Sequence, residues 1–162
     1  MKKTAFTLFL LALLAESCSA VILRNKPYHM GAGLKIGMAP GLTLKYFYNP
    51  VVAFDGILTY RWSGMNLAGL AEFHVSVFDT KGMYFYYGGG LHAGYWDPEL
   101  ARDKPAGGRK LNFGIDAIAG LEYGFPRFPM SIGLDWKPNY NIVTDHRLII
   151  DEISLVLRYL IR

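Results

Sequence analysis

Three residues on one short segment have the types needed for nucleophilic chemistry. Glu72, His74 and Ser76 stand at every second position of EFHVS. On a β-strand that spacing turns all three side chains to one face. A histidine beside a serine, supported by a carboxylate, can take the hydroxyl proton and leave an activated nucleophile. The same three residues also read as a hydrogen-bonded patch inside a barrel, which needs nothing beyond the alternation. His74 and His92 fall on neighbouring predicted strands and, with Glu72, are the best metal-ligating set. Two histidines without a local ligand motif fit interior packing better, so no metal and no other cofactor is expected. Gly88-Gly89-Gly90 lies inside a strand pattern and lacks the helix that a phosphate loop requires, so it reads as close packing.

The elements that hold these residues announce themselves by a period of two. In Leu111 to Phe125, LNFGIDAIAGLEYGF, one alternate set is wholly apolar or aromatic. The other set is small or acidic except for Ile118. That is a strand with two unlike faces. It is long enough to cross a bilayer, which takes about 9–11 tilted residues. The same alternation predicts strands at about Met30–Met38, Leu42–Tyr48, Val52–Trp62, Met65–Phe78, Met83–Trp96, Met130–Lys137 and Leu148–Ile161. With the 111–125 stretch this makes eight, and all eight prolines of the chain fall outside them. Proline cannot donate to a central ladder, so its placement supports the assignment. The two longest breaks, Asp97–Lys110 and Pro138–Arg147, fall on the same end of an up-and-down barrel, as expected for outer loops.

Charges within these strands gather on the face opposite the apolar set: Lys35, Lys45, Asp55, Arg61, Glu72, Asp116, Glu122, Asp135, Lys137, Glu152 and Arg158, with His74 and His92. A lysine or arginine facing lipid at mid-bilayer costs about 2–4 kcal/mol, so the charged face is predicted to point inward. Eight strands enclose an interior that side chains just fill. The expectation is a plugged core in which opposite charges pair, without an open channel. Inward glycines, among them Gly33, Gly88, Gly90, Gly114, Gly120 and Gly133, leave room for long side chains. Outward tyrosines and tryptophans read as interfacial girdles.

Composition agrees with export to a membrane. Residues are 52% hydrophobic, yet no continuous apolar run of spanning length follows residue 20. Closed barrels are the other backbone arrangement that satisfies itself in lipid. Residues 1–20 read as a cleaved signal peptide: Lys2 and Lys3, an apolar run, then Ser17-Cys18-Ser19-Ala20. Its loss takes two lysines and one glutamate, so the net charge of +4 becomes +3. That mild, mixed charge gives no case for nucleic acid. Cys18, the single cysteine, goes with the leader, unless it is the lipidated first residue of a lipoprotein. Residues 21–162 then form one barrel domain.

The set GLTLKYFYNP, GLAEFH, YYGGGLHAGYWD, GIDAIAGLEYGF and SIGLDWKP resembles small outer-membrane β-barrels of the OmpX-like and OmpA transmembrane-domain kind. It is most similar to short barrels of Bacteroidetes-type genomes. The resemblance spans about residues 30–161. It implies an all-β, eight-stranded antiparallel up-and-down transmembrane barrel, outer-membrane location, insertion by the barrel-assembly machinery, and no shared catalysis. The family usually ends in an aromatic residue, whereas this chain ends Tyr159-Leu160-Ile161-Arg162. The His-x-Ser pair is similar to that of lipid A deacylase, also an eight-stranded barrel, but the alternation turns it away from lipid.

The functional expectation is therefore a monomeric, non-enzymatic barrel with a structural role or a surface-interaction role through its outer loops. Asp97, Glu99, Arg102, Asp103, Lys104, Arg109 and Lys110 are the recognition candidates, suited to lipopolysaccharide phosphates or a protein. Two other classes compete: a lipid-modifying enzyme, and a soluble lipocalin-like barrel with its apolar set inside.

Overall fold

The structure is a computed structural model and describes residues 26–61, 64–77, 81–96, 110–142 and 148–161. The proposed signal peptide and Cys18 lie outside these residues, as do Asp97, Glu99, Arg102, Asp103, Lys104 and Arg109. Lys110 opens a strand.

Ten strand segments follow in order: β1 Met30–Gly37, β2 Gly41–Phe47, β3 Val52–Arg61, β4 Gly64–Ser76, β5 Met83–Trp96, β6 Lys110–Gly124, β7 Met130–Trp136, β8 Asn139–Asn141, β9 Leu148–Ile149 and β10 Ile153–Ile161. From β1 to β7 each pairs antiparallel with the next, β8 pairs with β6 and β9, and β10 pairs with β7. β1 pairs β10, and β5 pairs β6, so the sheet closes on itself.

The segments make eight staves. β7 and β8 are one stave: Trp136 faces Ala119 and Asn139 faces Asp116, an unbroken register against β6. Pro138 lies outside both strand segments, as expected for a proline, yet sits between them within one stave. It accepts from the Ala117 N–H at 2.9 Å but has no N–H to return, and only that one bond of the ladder is lost. The predicted loop Pro138–Arg147 shortens accordingly. β9 and β10 form the last stave, with a bulge between them. Ile149 faces Asn139 and Ile153 faces Trp136, so four steps on one strand match three on the other. The extra residue falls near Asp151, whose carbonyl accepts from the Ile153 N–H at 2.9 Å. Bulges of this kind bend a strand and re-aim its side chains.

Tight turns join the staves at the end carrying the N- and C-terminal strand ends. In the β2–β3 hairpin, Asn49 Oδ1 accepts from the N–H groups of Val51 and Val52 at 2.8 and 2.7 Å. This side-chain turn fixes the chain reversal. Gly82, between β4 and β5, has φ of 95°, which a side chain rarely adopts.

The alternation sorts the side chains into two populations. Outward positions carry Leu34, Ile36, Leu42, Leu44, Leu67, Leu91, Ile115, Leu134 and Leu155, all exposed. No charged side chain is exposed at an outward strand position among the described residues. Aromatics crowd the two ends of this face: Tyr46, Tyr48, Phe73, Tyr87 and Tyr159 toward the short turns, Tyr60, Tyr95, Phe113 and Tyr140 toward the other end. Inside, two small apolar clusters, Ile57/Ala68/Leu70/Tyr86/Ile118 and Tyr28/Phe47/Ala53/Leu160, alternate with polar layers.

Candidate functional site

The barrel interior is the site, and its polar residues form two groups. Going inward along β3, the buried side chains are Thr59, Ile57, Asp55 and Ala53. An apolar rung thus stands between polar ones.

Toward the short turns lies the denser group. Arg158, wholly buried, meets Asp55 Oδ2 at 2.9 Å and Glu122 Oε2 at 3.4 Å. Lys45 Nζ lies 2.7 Å from Glu72 Oε2 and 3.5 Å from Glu122 Oε2. It also stands 3.9 Å from the centre of the Tyr86 ring. Glu122 collects two neutral donors as well: the Tyr28 hydroxyl at 2.9 Å and the Ser131 hydroxyl at 2.7 Å. Thr43 donates to Asp55 at 2.6 Å. Lys35 pairs with Asp135 at 3.1 Å, and Asp135 also accepts from the Tyr86 hydroxyl.

The second group stands nearer the other end. His92 bridges Asp116 at 2.7 Å and Asn141 at 2.9 Å. Lys137 lies 3.1 Å from Glu152 and 3.7 Å from Asp116. Asn139 donates to Glu152 at 3.3 Å.

Twelve of the thirteen predicted interior residues are thus buried: Lys35, Lys45, Asp55, Glu72, His74, His92, Asp116, Glu122, Asp135, Lys137, Glu152 and Arg158. Arg61 departs from the group. It forms a two-pronged pair with the exposed Asp151, at 3.3 and 2.9 Å, at the rim. Those two hydrogen bonds hold the Asp151 carboxyl below its usual range. Among the described residues the interior therefore has six carboxylates against four lysine or arginine cations. Tyr28, Thr43, Tyr86, Ser131 and Asn139 supply the missing donors.

Periodicity alone could have flagged Thr43, Tyr86 and Ser131, which share the inward parity. Tyr28 carries no such signal, because it precedes the first strand. Its ring packs edge-on against Phe47, with centres 4.8 Å apart, and its hydroxyl enters the barrel. Asn139 and Asn141 belong to β8, inside the predicted loop Pro138–Arg147, where alternation gives no signal.

Glycines make this packing feasible. A Cβ on Gly33 would stand 2.7 Å from Arg158 Cγ, one on Gly114 2.6 Å from His92 Cε1, and one on Gly120 2.6 Å from the Tyr86 ring. Each of these three side chains lies over a glycine on the neighbouring strand.

The enzyme-like cluster takes a different form. His74 is buried between rings, with Phe47 at 4.6 Å and Tyr86 at 5.0 Å. Its Nε2 is 3.6 Å from Glu72 Oε2, and neither ring nitrogen has a hydrogen-bond partner among the described residues. Ser76 is half-buried near the strand end. His92 is far from this group: it faces Ala68 on β4, six residues along from His74.

No protein-family model and no curated protein matches the sequence. Among solved structures, the N-terminal β-barrel domain of Pseudomonas aeruginosa OprF is similar, with a TM-score of 0.61 at 16% identity. The match covers 84% of this chain and 98% of that domain. At that identity the likeness is one of fold: the chain is a closed, eight-stranded, antiparallel up-and-down β-barrel of the OprF N-terminal kind.

Proposed function

We propose that the protein is an integral outer-membrane barrel with a charge-paired, side-chain-filled interior and a non-enzymatic role, structural or as a surface-interaction platform. The observation that carries the reading is the sidedness of the strands. Leucines, isoleucines and aromatics cover the outer wall, while the strand charges whose side chains are described lie inside or, for Arg61, at the rim. A water-soluble barrel would need the reverse, since large exposed apolar surfaces drive association in water. A bilayer accepts this wall, and closure leaves no unpaired edge in lipid. The end aromatics suit the two interfaces.

Export through a signal peptide and insertion by the barrel-assembly machinery go with this reading. So does contact of the outer loops with lipopolysaccharide or a protein partner. The non-enzymatic role is favoured because His74 lies between aromatic rings without a hydrogen bond to Ser76. A general base must reach the proton it takes.

Cell fractionation tests the location. Recovery with the outer membrane, detergent-dependent solubility and heat-modifiable gel mobility are expected, and recovery as a soluble periplasmic protein would overturn the reading. Lipid A from a deletion strain should show unchanged acylation by mass spectrometry.

A further inference from the structure

Neutral donors solvate a buried carboxylate but do not cancel its charge, and an unbalanced charge away from water is costly. Four of the six enclosed carboxylates are well served. Asp55, Glu122, Asp135 and Glu152 each meet a lysine or arginine and at least one hydroxyl or amide donor. Glu72 and Asp116 have no hydroxyl or amide donor among the described residues. Each also shares its lysine: Lys45 faces Glu122 as well, and Lys137 lies nearer Glu152. These same two carboxylates meet the buried histidines. His74 Nε2 is 3.6 Å from Glu72 Oε2, and His92 Nδ1 is 2.7 Å from Asp116 Oδ1.

The charges can be counted group by group. Around Glu72 and His74 stand Lys45 from β2, Asp55 from β3, Tyr86 from β5, Glu122 from β6 and Arg158 from β10. Asp135 from β7 and Lys35 from β1 lie behind Tyr86. That makes four carboxylates to three lysine or arginine cations. Around Asp116 and His92 stand Lys137, Glu152 and the β8 asparagines Asn139 and Asn141. That makes two carboxylates to one cation. Each group is one positive charge short, and each contains one histidine beside its least-served carboxylate.

We propose that the folded lumen binds two protons, one on the Glu72–His74 pair and one on the Asp116–His92 pair, so that each polar group is electrically neutral. At His92 the contacts place the proton. Both ring nitrogens meet acceptor oxygens, Asp116 Oδ1 and Asn141 Oδ1 at 2.9 Å, and only an imidazolium donates from both. That ring ties β5 to β6 and β8. At the other pair, a carboxyl O–H from Glu72 can donate to His74 Nε2, or the imidazolium can donate back. The proton belongs to the pair in either form. It also supplies the hydrogen bond that the His74 ring otherwise lacks among the described residues. In the unfolded chain above about pH 7, carboxylates are ionised and histidines mostly neutral, so both protons leave on unfolding. The barrel is thereby a pH-sensitive device: its stability falls as pH rises through the value at which the lumen gives the protons up.

The test uses the full chain in detergent micelles, unfolded by urea at a series of pH values. The unfolding constant should rise about tenfold per pH unit for each proton held, hence about a hundredfold from pH 7 to 8. Glu72→Gln and Asp116→Asn each remove one excess carboxylate. Each should cut the rise to about tenfold, and the double variant should be nearly flat. Where a variant does not fold, the parent's NMR signals at pH 7 decide. His92 should show two protonated ring nitrogens, and either the Glu72 carboxyl or the His74 ring should carry an added proton. A rise of tenfold or less in the parent overturns the proposal. So does a folded single variant with the parent's full pH dependence, a His92 ring with one protonated nitrogen, or an ionised Glu72 beside a neutral His74.

Discussion

At the residue scale, Glu122 is the hub of the interior. Four groups converge on it: Tyr28, Ser131, Lys45 and Arg158. Removing one member of a buried charge group leaves its partners uncompensated. Glu122→Ala should therefore cost about 3–5 kcal/mol, measured by denaturant unfolding of the micelle-bound barrel. Glu122→Gln keeps acceptors for Tyr28 and Ser131 and should cost less. Gly120→Ala drives a methyl into the Tyr86 ring and the Leu134 carbonyl; overpacking of this kind should cost about 1–3 kcal/mol in the same assay. The rim pair behaves otherwise. Because Arg61 depresses the Asp151 carboxyl, its contribution is fully present above the ordinary aspartate range. It fades as pH falls through the lowered value. Exposure and salt keep it under about 1 kcal/mol. Asp151→Asn should remove that pH dependence from the unfolding curve and leave neutral stability nearly unchanged.

At the element scale, the staves are set by alternation, and among the described residues the irregularities fall on one pair. Pro138 and the bulge near Asp151 sit on neighbouring staves at the loop end. Pro138→Ala restores an N–H opposite the Ala117 carbonyl. The variant should fold with unchanged heat-modifiable mobility, and hydrogen exchange should find the new amide protected. The outer wall sets a sharper test. Leu91 is exposed at mid-barrel, opposite Gly69 and Ile115. Leu91→Arg should cost about 2–4 kcal/mol in bilayers, read as the free energy of folding into liposomes. A soluble barrel would tolerate that substitution, so a neutral result would count against the membrane reading.

At the scale of the whole molecule, layers of paired charge and apolar clusters cross the lumen from Tyr28 to Lys137. Planar-bilayer recordings should show no large, stable conductance, and a persistent open level would contradict a filled interior. The fold was legible in the chain because each strand is long and two-faced. The inward set was legible for the same reason, and Lys45, Asp55, Glu72, Glu122 and Arg158 could be assigned by parity. What parity missed has local causes. Arg61 shares it but stands at the strand's end, where the rim offers Asp151. Tyr28 lies before the first strand and enters the barrel only because the closed mouth presents Phe47 and Glu122.

The sequence by itself determined which face of every strand is greasy and which is ionised, since side chains alternate with a period of two and hydrocarbon tolerates one set only. Closure and stagger decided the rest. They chose Asp55 and Glu122 for Arg158, carried Pro138 into a stave, and set Asn66 beside Asn112 across a glycine. Those neighbours depend on how strands slide past one another around the barrel, a quantity no single strand contains.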